Sequence, residues 1–298
     1  MAQTLQEVET GPQYTPLRYG LLSAARSVPD ANGHWQNGTL IRVDPCEPAA
    51  VVTGAGCTTA VHTKVPTGTI GWSAAQPFQV YGAVQCSPVG WGDDVAELER
   101  LATQHLTNGE GRAVEHAFWT GQAQDGGVIY PHLAADDEVL LDDMTPVAEL
   151  QSAAVVVSGG PVGVMEGIQL LEGALAQCYG GEGFIHIPAT AVARLSNVGV
   201  VREQGGQLRT LLGNTVVVYS SGDREGPDGS NPPAGQSWIY ATGSVWYRRS
   251  PVKALGRRPG DFLARDKNTM FYVVERTYVV DWDCCHLAVL VEIPGAAT

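Results

Sequence analysis

A run of apolar residues at helical spacing in the middle of the chain constrains its architecture most. Asp94 can cap a helix, and Glu97 follows three residues on in a capping-box arrangement with Asp in place of Ser or Thr. Val95, Leu98, Leu101, Ala102 and Leu106 then keep the helical period. Asn108-Gly109-Glu110-Gly111 weakens the run, but Ala113, Val114, Ala117 and Phe118 resume it up to Gly121. The spacing predicts a long helix, and the open point is whether it kinks near Gly109. A second, shorter stripe (Val164, Ile168, Leu171, Leu175, Cys178) predicts another helix beginning around Pro161 or Gly163 and stopped by Gly180-Gly181. Ala189–Leu195 reads as a third, short one.

Strand patterns flank these helices. Leu40–Val43, Cys57–Val65 and Phe78–Cys86 are β-branched or alternating, with Gly and Pro between them. In Cys57–Val65, Thr59, Val61, Thr63 and Val65 share one face, while Ala60, His62 and Lys64 share the other. Neither face is apolar enough to hold a hairpin alone, so the segment reads as a protruding β-loop that needs a neighbour. Residues 1 to 45, punctuated by Gly and Pro, read as an extended arm with little core of its own. Later strands are Phe184–Ile187, Asn214–Ser220, Trp238–Trp246, Thr269–Val280 and His286–Ile293. The Gly222 to Gln236 connection reads as a mobile or pore-lining loop. Helices and strands fall in separate groups, an α+β pattern.

Composition narrows the function. The 298 residues carry 18 basic and 31 acidic side chains, a formal charge of −13. That disfavours gripping nucleic-acid phosphates or docking on an anionic membrane. No apolar run reaches the length of a membrane span, and the start shows no basic region followed by an apolar stretch, so no signal peptide is read. Cys46, Cys57, Cys86, Cys178, Cys284 and Cys285 form no C-x-x-C pair, and free thiols in a reducing cytoplasm are the expected state.

The chain offers no evident turnover chemistry. The seven histidines lack metal-ligand spacing, so no metal site is expected. Read as strand residues, Cys284-Cys285-His286 would alternate faces and could not converge on an ion; burial as small side chains explains them better. There is no phosphate loop, no complete dinucleotide loop after Gly54-Ala55-Gly56 and no nucleophile elbow, hence no cofactor is expected. Asp136-Asp137-Glu138 and Asp142-Asp143 read as solvated acidic loops. Arg248, Arg249, Lys253, Arg257 and Arg258 could meet phosphates, but in so acidic a chain they read as partners for a neighbour's carboxylates.

Arm, β-loop, long helix, compact α/β segment and terminal strands follow in that order. The order resembles the major capsid proteins of tailed phages (Hong Kong-97-type fold, here actinobacteriophage-like), a fold that encapsulin shells share. Gly109 through Gly121 resembles the end of that family's spine helix. Leu170-Leu171-Glu172-Gly173-Ala174-Leu175, Tyr179-Gly180-Gly181 and Phe184-Ile185-His186-Ile187-Pro188 are similar to the helix–turn–strand of its axial domain. Lys267-Asn268-Thr269-Met270, running into Val274-Glu275-Arg276, resembles the hairpin of its peripheral domain. The resemblance implies an N-terminal arm over 1–45 and an E-loop region over 46–90. A peripheral domain with its spine helix follows over 91–150, an axial domain over 151–250, and peripheral C-terminal strands over 251–298.

The same resemblance implies a subunit of hexamers and pentamers in an icosahedral shell that encloses double-stranded DNA non-specifically. Portal, scaffolding, protease or decoration proteins are its further possible partners, and assembly in the bacterial host cytoplasm is implied. Some members join an E-loop lysine to a neighbour's asparagine with help from a glutamate. Lys64, Asn268 and Glu275 stand at the matching positions, and the competing reading is a solvated lysine, a turn asparagine and a strand-end glutamate. The lysine must be neutral to attack, so an apolar site is expected. The family often carries a long scaffold segment before this region, for which about 45 residues leave no room. The start also lacks the amphipathic helix with which encapsulins seat cargo. An encapsulin-like compartment, a soluble β-rich enzyme or binding protein, and a tail-tube or decoration protein are the alternatives.

Overall fold

The computed structural model describes residues 14–29, 33–43, 46, 49, 51, 70–86, 95–142, 147–197, 199–255, 263–264 and 269–293. The first half of the chain holds α1 (Leu21–Ala24), β1 (Arg26–Ser27), a 3-10 turn (His34–Asn37), β2 (Thr39–Val43), β3 (Gly71–Ala75), β4 (Phe78–Cys86) and α2 (Val95–Thr120). Next come β5 (Val139–Leu141), β6 (Ala148–Gln151), β7 (Val155–Val156), β8 (Val162–Gly163), α3 (Val164–Cys178), β9 (Phe184–Pro188) and α4 (Ala189–Asn197). The remainder is strand: β10 (Val201–Gln204), β11 (Gln207–Thr210), β12 (Thr215–Tyr219), β13 (Gln236–Thr242), β14 (Val245–Arg249), β15 (Lys253–Leu255), β16 (Leu263–Ala264), β17 (Thr269–Trp282) and β18 (His286–Glu292).

The 26 residues of α2 form one helix that runs unbroken through Asn108–Gly111. Two interior glycines each cost about 1 kcal/mol against Ala. They are carried by a buried stripe of Leu98, Ala102, Leu106, Glu110, Val114 and Phe118, because packing rather than propensity holds protein helices. The helix ends at Gly121, whose φ of +69° supplies the left-handed turn past the last carbonyls. Asp94, the expected cap, lies outside the described residues.

Among the described residues, three sheets organise the rest. In the six-stranded sheet β17 is central: Val273, Val274 and Glu275 pair with β4 on one side and β15 on the other. The apolar face of β4 and β17 lies under α2, with Val80, Tyr272, Val274 and Tyr278 in one core with Leu98, Ala102, Leu106 and Phe118. Gly82 sets the helix–sheet distance, because a Cβ there would stand 2.5 Å from the Ala102 carbonyl oxygen. The eight-stranded sheet runs β10-β11-β12-β9-β13-β18-β7, with β8 also on β18. Here α3 and α4 supply Ile168, Leu171, Leu175, Ala191 and Leu195 to a second core. A four-stranded sheet, β2-β3-β6-β5, completes the set.

The two larger sheets share a continuous antiparallel ribbon. β13 pairs with β18 as far as Thr242↔His286, and the same two chains continue as β14 and β17 from Val245↔Trp282. The crossover is Gly243-Ser244 on one chain and Asp283-Cys284-Cys285 on the other, joined by Gly243 N–H donating to the Cys284 carbonyl at 2.7 Å. This corrects the single strand expected over Trp238–Trp246. At Gly243 a Cβ would stand 2.5 Å from the Cys284 oxygen, so the backbones touch and the strand changes sheet. A division of the chain at residue 250 cuts across this arrangement: β14 lies with β17, and β18 lies with β9 and β13.

Three further expectations are corrected. Residues 1 to 45 do contribute to the core where they are described: Leu21 is fully buried and Trp35 is 3% exposed. The arm lies over the seam of its own chain, with β1 parallel to β14 and Val218 N–H donating to the Tyr19 carbonyl. The Gly222 to Gln236 loop is fastened, with the Glu225 carbonyl accepting from Trp119 Nε1 and the Tyr240 hydroxyl. Four of the six cysteines are not free thiols, since Cys46 pairs with Cys284 and Cys178 with Cys285. The Cys57–Val65 strand and Lys64 fall outside the described residues.

Candidate functional site

Alternation along β17 gives its neighbouring residues opposite surroundings. Arg276 and Tyr278 face α2, where the Arg276 guanidinium donates to both Glu110 oxygens at 2.9 and 3.1 Å and the Tyr278 hydroxyl donates at 2.6 Å. Burial first, then the Glu110 carboxylate, pushes the Tyr278 phenol well above its ordinary pKa. Glu110 is thus a charge placed inside an apolar stripe and fully partnered there, locking helix to sheet.

Glu275 stands on the other face. It is half-buried, in register with Tyr81 of β4 and Lys253 of β15. Tyr81, Phe271 and Leu255 on the same three strands are exposed, so this face is open and partly apolar. Of the three residues proposed for a cross-link, Glu275 alone is described; Lys64 and Asn268 lie outside the described residues.

A second carboxylate, Glu115, ties three segments together. One oxygen accepts from Leu21 N–H of α1 at 3.2 Å; the other accepts from the Ser220 N–H and hydroxyl at 2.8 and 2.7 Å. Burial raises its pKa against those bonds. The adjacent His116 meets Asp223 at 2.9 Å, and that hydrogen bond raises the imidazole pKa.

The crossover turn gathers two disulfides, a tyrosine and two carboxylates. Cys178, last residue of α3, is bonded to Cys285, and Cys46 beyond β2 to Cys284. Tyr179 donates its hydroxyl to Asp283 at 2.7 Å, and burial lifts its pKa to about 12. Asp281 is buried, accepts from Ser73 at 3.2 Å and is pushed up to about 8 by burial. A cavity of about 600 Å3 opens here, lined by Cys46, Ser73, Tyr179, Asp281, Asp283 and Cys284. Cys284 and Cys285 belong to a turn rather than a strand, and Cys285 has a φ of +64°. Alternation therefore does not apply to them, and each reaches a different partner.

The sequence reading missed Glu110 and the cysteine pairs. Glu110 was detectable, because it falls four residues after Leu106 and four before Val114 in the buried stripe. The cysteine pairing was not, because the bonds span 107 and 238 residues of sequence. Among the described residues no group of three His, Cys, Asp or Glu side chains gathers as a metal site.

No protein-family model matches the sequence. No curated protein matches it either. Solved structures do. The capsid of a native GTA particle matches at a TM-score of 0.55 with 13% identity, covering 97% of this chain and 95% of that one. The capsid of Ralstonia phage GP4 matches at 0.55 with 8% identity, covering 99% and 97%. A chain from Gordonia phage Cozz matches at 0.51 with 12% identity, covering 100% and 92%. At these identities the likeness establishes a shared α+β fold, that of phage capsid chains, along nearly the entire length.

Proposed function

We propose that this chain is the major capsid protein of a tailed phage, a structural subunit whose copies close into a shell. The observation that carries the reading is the fold likeness to capsid chains, which runs along nearly the entire length of both partners. In this reading the shell is an icosahedron of hexamers and pentamers around double-stranded DNA. The six-stranded sheet with α2 acts as the Hong Kong-97-type peripheral domain and spine helix. The eight-stranded sheet with α3 and α4 acts as the axial domain. Residues 1–45 serve as the arm and 46–90 as the E-loop region, each lending a strand, β1 and β4, to the six-stranded sheet. The charge of −13 suits a wall that must enclose a polyanion without gripping it.

The open face of β4, β17 and β15 receives a neighbouring copy. Lys64 of that copy attacks the Asn268 side-chain amide, forming an isopeptide bond and releasing ammonia, with Glu275 taking up the lysine proton. Electron microscopy of the purified chain tests the shell: closed particles support it, and a chain that stays a monomer or small oligomer at every concentration overturns it. Particles that carry a protein cargo in place of DNA would favour an encapsulin-like compartment. Heating particles in detergent under reducing conditions tests the bond. A ladder lost in Lys64→Arg supports it, and a single 31.5 kDa band refutes it.

A further inference from the structure

Both disulfides converge on one short turn, and that turn is where the ribbon passes from one sheet to the other. Cys285 fastens the crossover to the end of α3, which packs on the eight-stranded sheet; Cys284 fastens it to Cys46, just beyond β2 of the four-stranded sheet. The bonds therefore tie elements of all three sheets to the crossover.

Hydrogen bonds hold the turn beside its sulfur bonds. Tyr179, the residue after Cys178, donates to Asp283; Asp283 in turn accepts from Cys284 N–H at 2.9 Å, and Gly243 holds the Cys284 carbonyl. They flank the Cys178–Cys285 pair, whose Cα atoms stand 6.0 Å apart, within bonding range for a disulfide. Cys178 is exposed, and Cys46 and Cys284 line the cavity, so a small reagent reaches both pairs in the folded chain.

We propose that the Asp283–Cys285 turn is a redox latch on the crossover between the sheets, open as four thiols in a reducing compartment and closed as two disulfides outside it. Tyr179 is its positioning residue. The oxidant is a low-molecular-weight disulfide such as oxidised glutathione. One cysteine thiolate attacks it, expelling one small thiolate and leaving a mixed disulfide. The second cysteine thiolate displaces the other small thiol. Each closed bond thus takes two electrons from protein sulfur and yields two small thiols. The chemistry stands on the turn alone; only its timing, closure after release from the host, rests on the shell reading.

The test equilibrates the full chain in glutathione redox buffers and reads each pair by differential alkylation and peptide mapping. The expected result is reversible opening and closing of both pairs without loss of the folded circular-dichroism signal. Tyr179→Phe should require a several-fold more oxidising buffer to half-close Cys178–Cys285, while Cys46–Cys284 shifts less than two-fold. Asp283→Asn, which keeps an acceptor for the tyrosine, should lie between the two and serves if Tyr179→Phe does not fold. Thiols that stay reduced in oxidised glutathione, bonds that open only on denaturation, or a Tyr179→Phe curve superimposed on the wild type would each overturn the latch. Electron microscopy of the same samples separates the two readings. Shells with permanently free thiols refute only the latch, and cycling disulfides in a chain that never assembles refute only the shell.

Discussion

Two glycines on touching elements should respond to the same substitution with opposite signs. Gly82 of β4 lies against α2, where an added Cβ would meet the Ala102 oxygen at 2.5 Å, the Leu106 nitrogen at 2.6 Å and the Leu106 Cβ at 2.8 Å. Ordinary contact begins near 3.4 Å, so Gly82→Ala forces helix and strand about 0.9 Å apart at this point. The obstructing atoms are largely backbone and cannot rotate away. Leu98, Ala102 and Leu106, all buried against this sheet, then lose close contact. Overpacking of this kind costs about 1–3 kcal/mol. For a chain of this length that lowers Tm by roughly 2–6 °C. Gly109, within α2, has nothing within 4 Å of its would-be Cβ. Gly109→Ala gains helix propensity without a clash and should add about 0.5–1 kcal/mol, raising Tm by roughly 1–2 °C. Thermal melts of both variants, with the disulfides kept oxidised, decide the matter. If Gly82→Ala melts at or above the wild type, the helix–sheet spacing is not set as argued.

Other consequences concern buried charge. The folded chain holds a proton on Asp281 up to about pH 8, whereas the unfolded chain loses it near 3.8. The native state thus binds the extra proton in this window, and stability contributed by the group falls as pH rises through it. Burial holds His186 down to about 3 and His286 to about 4, so both oppose that trend only below their ordinary 6.5. Unfolding free energies from urea titrations should therefore fall between pH 6.5 and 8, by up to about 1.4 kcal/mol per pH unit from Asp281, and Asp281→Asn should flatten this limb. Glu110→Ala strands Arg276 and the Tyr278 hydroxyl beneath α2 and should cost about 3–5 kcal/mol by chemical denaturation; a loss under 1 kcal/mol would mean solvent already reaches the cluster. Glu115→Ala should raise hydrogen exchange at the amides of Leu21 and Ser220, the two N–H groups it holds. Unchanged exchange there would show that the arm and loop are held by other contacts.

Local pattern alone determined a good part of this protein. The stripe of α2, the stop at Gly121, Phe78–Cys86, and the strands near Thr215 and Thr269 follow from side-chain period and turn chemistry, which act over a few residues. The order of elements, on which the resemblance to phage capsid chains rests, was legible for the same reason. Tertiary structure decided what depends on distance across the fold. Gly109 remains helical because Glu110 and Val114 find partners on β17 and in the core. Leu21 is buried because α2 and β12 offer it a seam. The strand pattern through Gly243 breaks because another backbone occupies the space of a side chain there. The cysteines pair because the crossover brings residues 107 and 238 positions apart within 6.0 and 6.6 Å between Cα atoms. Periodicity shows which side of an element is apolar, but not which other element covers it; the sheets settle that by burying both together.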